Sequence, residues 1–194
     1  MEGLVSIAKF AFAVLVLPVI FAITSSFNHT IDKYSFFSFE FRAGIAAYVI
    51  VHLFIFPFKI VHAFGQKIVE LMFKFSSVLS KTVPLFVPFF TIVLLVSFGL
   101  AKENDWPGEQ YWAFFVGMAL AMHLLMTAQI LREEDSNAVK PHYFFLMSWV
   151  YVLNLSLVVV LLSFLSQSIS LKDFFVTAMI KAKDIYLVLL KHLL

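Results

Sequence analysis

The sequence predicts an all-α integral membrane bundle of five transmembrane helices, with two amphipathic helices at the membrane surface. Two observations carry that prediction. The 194 residues are 62% hydrophobic and 13% charged, with a mean hydropathy of +0.96, against ~45–50% apolar and ~25% charged for an average soluble domain. The apolar residues also gather into five continuous runs near the roughly 20 residues that a helix needs to cross a hydrocarbon core of about 30 Å. These runs lack the strict alternation of a membrane barrel strand.

The first run, Leu4–Thr24, opens with Lys9 close by and carries Pro18. It has the charge-then-apolar order of a secretory signal, but no A-x-A cleavage site follows, so it reads as a retained helix. The second, Ala43–Phe64, contains Pro57 and Lys59 near its end, and Pro57, like Pro18 in the first, is placed to kink its helix. The third, Val83–Ala101, begins with Pro84 and Pro88, which the spacing puts in its first turns, where a missing N–H costs least. The fourth is Tyr111–Leu131, and the fifth is Tyr143–Ser166.

Two further stretches are too charged to be ordinary spans. In residues 65–82, Lys67, Glu70, Lys74, Ser77 and Lys81 recur every three or four residues, which is one face of a helix. Glu70 and Lys74 stand at i,i+4. Residues 171–194 repeat the design with Asp173, Thr177, Lys181, Asp184 and Lys191. Both read as interfacial helices whose ammonium groups (Lys67, Lys74, Lys81, Lys181 and Lys183) reach lipid headgroups. The competing reading of the C-terminal stretch is a sixth, poorly apolar span. Charged residues at mid-bilayer cost ~2.5–3.5 kcal/mol each on insertion scales, which favours the surface. The whole chain, 1–194, reads as one polytopic domain, because its loops are too short to enclose a second core.

Cationic residues set the orientation. With the N-terminus cytoplasmic, the inner side holds Lys9, Lys59, Lys67, Lys74, Lys81, Arg132 and Lys140, and the outer loops hold Lys33, Arg42 and Lys102. The charged C-terminal segment is discounted in that comparison. A cell (inner) membrane is the expected location. The turn Trp106-Pro107-Gly108 then lies outside, with Tyr111 and Trp112 anchoring the next helix at the interface.

The composition excludes several classes of chemistry. Without cysteine there is no disulfide framework, thiolate metal site or Cys nucleophile. A net charge of +2 over many short loops is no nucleic-acid surface. The 25 Phe suit contact with acyl chains. No H-E-x-x-H, P-loop or G-x-S-x-G motif is present, and no metal is expected. The acidic loop Glu133-Glu134-Asp135 could attract a divalent cation, but the adjoining Ser136 and Asn137 make a solvated turn the simpler reading.

Ionisable groups inside spans are the default functional candidates. His52 and His123 fall at similar depth near mid-bilayer, and His62 and His142 at similar depth nearer the inner face. Two layers of paired histidine suit two b-type haems. Against haem, His52 and His62 do not share a helix face, and no glycine pattern makes room for a macrocycle. Histidines hydrogen-bonded within the bundle are the simpler expectation, with no cofactor bound. Asn154, Gln129 and Ser156 are expected to bond between helices. Asn28-His29-Thr30 matches a glycosylation acceptor, which matters only in a secretory host. Gly44 and Ala47 on the second helix, and Gly117 and Ala121 on the fourth, are small enough to permit close helix approach, within the bundle or with a partner.

The order of elements hints at an inverted repeat, but the two halves show no residue-by-residue likeness. The expected function is a non-catalytic membrane subunit, a scaffold or anchor whose partners are lipids and other membrane subunits. The alternatives are a conduit for a small or lipidic solute and a b-type haem electron carrier.

Overall fold

A computed structural model describes residues 2–33, 35–54, 58–104, 108–134, 141–165 and 169–193. Among them are eight helices and no strand: α1 (Glu2–Asp32), α2 (Ser35–Phe54), α3 (Lys59–Met72), α4 (Ser77–Phe86), α5 (Phe89–Glu103), α6 (Glu109–Glu134), α7 (Pro141–Leu165) and α8 (Leu171–Leu193). Four contain stretches long and apolar enough to cross a membrane: Leu4–Asp32, Phe37–Phe54, Gln110–Glu133 and Pro141–Leu165. The bent pair α4–α5 makes a fifth if the two are one broken span. The described residues are all-helical, and helices this long and apolar mark a membrane protein. Pro57, Trp106, Pro107, Asp135, Ser136, Asn137, Lys140 and Ser166 lie outside the described residues.

Three boundaries differ from those the sequence predicts, each for a local reason. The run over residues 43–64 is two helices, α2 ending at Phe54 and α3 starting at Lys59. The residues between them include Pro57, a residue that has no N–H to donate and disfavours helical backbone before it. The amphipathic stretch 65–82 is also two helices. The Ser76 hydroxyl accepts from Leu79 N at 3.4 Å and caps α4, while α3 stops at Met72. Lys74 therefore lies beyond α3, and Glu70–Lys74 is no i,i+4 pair of one helix. The run 83–101 breaks at Val87–Pro88 with a bend of 65°. Pro88 forces its predecessor out of the helical region, and Val87 has φ −97 and ψ 110.

The chain forms two compact units, one of Met1–Lys33 with Ala128–Leu194 and one of Tyr34–Thr127. In the first, α1 packs on both α7 and α8. Phe10 meets Phe144 edge-on at 6.3 Å, and Phe12 stacks on Trp149 at 6.3 Å. Thr24 Oγ1 lies 2.9 Å from the Tyr151 hydroxyl. α8 runs lengthwise and antiparallel along α1. The buried Ser26 hydroxyl donates to Phe174 O at 2.7 Å, Lys181 Nζ donates to Ser25 Oγ at 2.7 Å, and the Tyr186 hydroxyl donates to Leu15 O. These contacts cover roughly 17 Å of α1 at 1.5 Å per residue. Ser26→Ala is expected to weaken that seam by about 1 kcal/mol. Faster hydrogen exchange of amides around Phe174 would show it, and unchanged exchange would refute it.

In the second unit, α3 packs against α4 and α5, while α2 and α6 cross at two glycines. A Cβ on Gly44 would stand 1.9 Å from Phe114 O, and one on Gly117 would stand 2.1 Å from Phe41 O. Backbone touches backbone at both points. Ala121 is buried on the same helix as Gly117, and Ala47 is half-buried on α2. Tyr48, Ala121, Met122 and Met126 form a buried cluster, with Met118 and Phe90 packed on it. Phe37 and Phe98 join α2 to α5 with ring centres 6.5 Å apart.

Candidate functional site: a buried histidine pair

Among the described residues, nearly all the buried side-chain polar atoms without a hydrogen-bond partner lie in the second unit. α3 starts at Lys59, so His62, Gly65 and Val69 form its buried stripe, spaced as one helix face requires. Lys59, Lys67 and Glu70 are exposed. The stripe brings His62 to His123 of α6, with ring centres 5.6 Å apart and an interplanar angle of 46°. Both side chains are at most 5% exposed.

The bend at Pro88 supplies the third wall. A break in a helix frees carbonyls that the next turn would otherwise satisfy. The Leu85 carbonyl would have taken Phe89 N–H, but that donor goes to Val87 O at 2.9 Å. The His123 ring hydrogen-bonds the Leu85 backbone instead. His123 Nε2 has no partner, so the bond belongs to Nδ1–H, and the tautomer leaves Nε2 as the acceptor. His62 Nε2 and Gln66 Nε2 are likewise buried without a partner.

These groups line one cavity of about 10 Å³, bounded by His62, Gly65, Gln66, Met122, His123 and the broken-span residues Val87, Phe89 and Phe90. That volume admits one water molecule or one ion. The lining includes no carboxylate. Among the described residues no group of three His, Cys, Asp or Glu could hold a metal. Any ion here would depend on the two imidazoles and the Met122 thioether.

The other candidate histidines lie elsewhere. His52 stacks on Tyr48 at 5.7 Å, and its Nδ1 is buried without a partner. His142 Nδ1 accepts from Lys9 Nζ at 3.3 Å. The ring beside His123 is thus His62, whereas depth along straight spans pairs it with His52. Sequence reasoning places His62 on the second span because it starts the amphipathic helix at residue 65. Starting that helix after Pro57 would have put His62, Gly65 and Val69 on one face.

Asn154 Nδ2 donates to Val150 O of its own helix at 2.8 Å, and Gln129 Nε2 donates to Glu133 Oε1 one turn on at 3.1 Å. Lys67, Lys74, Lys81 and Lys183 are exposed, whereas Lys181 is half-buried on Ser25. Comparison with protein-family models, curated proteins and solved structures finds no match to this chain.

Proposed function

We propose that this chain is a non-catalytic membrane subunit, a scaffold or anchor in a larger membrane or envelope complex. Its N-terminus is cytoplasmic in this reading, its seat is a cell membrane, and Lys67, Lys74 and Lys81 meet lipid headgroups. The observation that carries it is the placement of α8. A helix that follows a span as apolar as α1 over such a length enters the bilayer with it. This supports a sixth crossing over residues 171–194 in place of a surface helix, although α8 is not among the helices apolar enough to cross on their own. Lys183 and Asp184 then lie exposed near the middle of α8. Left in lipid they cost ~2.5–3.5 kcal/mol each, and a partner helix that pairs with them removes most of that penalty.

A photoreactive residue at Met179 or Leu187, which flank Lys183 on one stripe and are exposed, should cross-link to one protein species in native membranes. The same probe at Ile7, 69% exposed on α1, should capture lipid. Asp184→Leu should lower the protein cross-link several-fold. Lipid capture alone from all three positions would overturn the subunit reading.

One observation favours a second reading, a conduit for a small solute. Non-helical backbone within a membrane is tolerated where it lines a cavity, and broken helices mark the binding sites of many transporters. The Val87–Pro88 break lines the His62–His123 cavity. Flux through liposomes holding the purified chain, abolished by His62→Leu, would support this reading. Flux indifferent to that change would refute it.

A further inference from the structure

We propose that the cavity walled by α3, α6 and the α4–α5 break is a site for one soft monovalent metal ion of the Cu(I) class, held by His62, His123 and Met122. The inference rests on the cavity alone and on neither functional reading above.

Four observations converge. His62 and His123 each bury an Nε2 that has no partner, and both line one cavity, an arrangement that costs free energy unless something in that cavity satisfies them. The His123 ring donates its other N–H to the Leu85 backbone. Metal-ligating histidines commonly hold that outer hydrogen bond, which fixes the tautomer and aims the lone pair. Imidazoles sharing an ion at the ~2.0–2.1 Å of a metal–nitrogen bond stand with ring centres roughly 5–6.5 Å apart, the middle of that range being trigonal. The observed separation is 5.6 Å, which leaves a third position for a ligand. Met122, adjacent to His123 and buried, lines the same cavity.

Ligand chemistry and charge then choose the ion. Thioether sulfur selects Cu(I), and imidazole accepts it. The lining has no carboxylate to neutralise charge. The cost of burying an ion scales with the square of its charge, so a monovalent ion suffers roughly a quarter of the penalty of a divalent one. Zn(II) and Ca(II) are disfavoured on that ground. The volume of about 10 Å³ limits occupancy to one ion.

The test uses the full-length protein, stripped of metal, in lipid nanodiscs. Ag(I), a redox-inert stand-in, is titrated by calorimetry, and Cu(I) is titrated under reductant against a chromogenic chelator. One equivalent of each should bind. His62→Leu and His123→Leu should abolish that equivalent. Met122→Leu, close in volume, should weaken it at least tenfold while preserving helicity and elution volume. Met179→Leu, on exposed α8 surface, should bind as wild type. X-ray absorption of the Cu(I) form should show two nitrogen ligands and one sulfur. The proposal is overturned by failure of the wild type to bind one equivalent, by binding that survives in both histidine variants, by a Met122→Leu affinity equal to wild type, or by Zn(II) binding as tightly as Cu(I).

Discussion

Gly44→Leu and Gly117→Leu are each expected to abolish the folded second unit, read as loss of the monodisperse peak and of cooperative thermal unfolding in detergent. A Cβ at Gly44 would lie 1.9 Å from Phe114 O and 2.8 Å from Phe114 C, and one at Gly117 would lie 2.1 Å from Phe41 O. The obstructing atoms are backbone, so no rotamer change relieves the clash and the two helices must separate. The cost exceeds the ~1–3 kcal/mol typical of overpacked cores, where side chains absorb the strain. Without a hydrophobic force between helices in lipid, close packing of this kind is a main source of association, and little else compensates for its loss. Gly65→Ala supplies the contrast. Its Cβ would meet the Phe90 ring at 2.7 Å, a side chain at the edge of a cavity that can tilt away. A modest drop in midpoint is expected there. Gly44→Leu or Gly117→Leu unfolding at the wild-type midpoint would show that α2 and α6 do not cross at these residues.

Helix class and the apolar spans were legible because lipid solubility dictates continuous hydrophobic runs, and α1, α6 and α7 lie where those runs are. Two of the three misplaced boundaries share one cause, and the third, between α3 and α4, follows from the Ser76 cap. Pro57 and Pro88 sit inside apolar windows, and hydropathy does not register a missing N–H. The restriction that Pro88 puts on Val87, applied strictly, would have predicted the bend and two freed carbonyls at Pro84 and Leu85. A polar side chain is then expected near that break, and His123 is one of the few buried in the spans. That His62 meets His123 was beyond the sequence, since contact between α3 and α6 depends on tertiary packing, which hydrophobic periodicity does not encode. The course of α8 was hidden for a related reason. Its charges keep it out of the set of helices apolar enough to cross, and only the folded chain reveals the hydrogen bonds, from Ser26 to Phe174 O and from Lys181 to Ser25, that hold it along α1.

The two histidines are expected to respond oppositely when each is replaced by leucine in the metal-free protein. His62 Nε2 is buried without a partner, so an apolar side chain of similar size removes an unmet desolvation cost of about 1–3 kcal/mol. His62→Leu should therefore hold or raise the unfolding midpoint. His123 has the same unmet Nε2, but its ring also satisfies the Leu85 backbone. Leucine at 123 relieves the first group and orphans the second. The orphaned carbonyl sits at the end of α4, where Phe89 N–H is already given to Val87 O at 2.9 Å and Pro88 offers no donor. The end of α4 then keeps only the bond from Val87 N–H to Val83 O, and loses the hydrogen bond that joins it to His123 of α6. His123→Leu should lower the midpoint relative to His62→Leu by about 2–4 °C per kcal/mol for a chain of this size. The double variant separates the effects. If the Leu85 bond is the structural role of His123, the loss should persist when His62 is already leucine, because His62 takes no part in that bond. Equal midpoints for the two single variants would mean that the Leu85 hydrogen bond contributes nothing, and His123 would then matter only for what occupies the cavity.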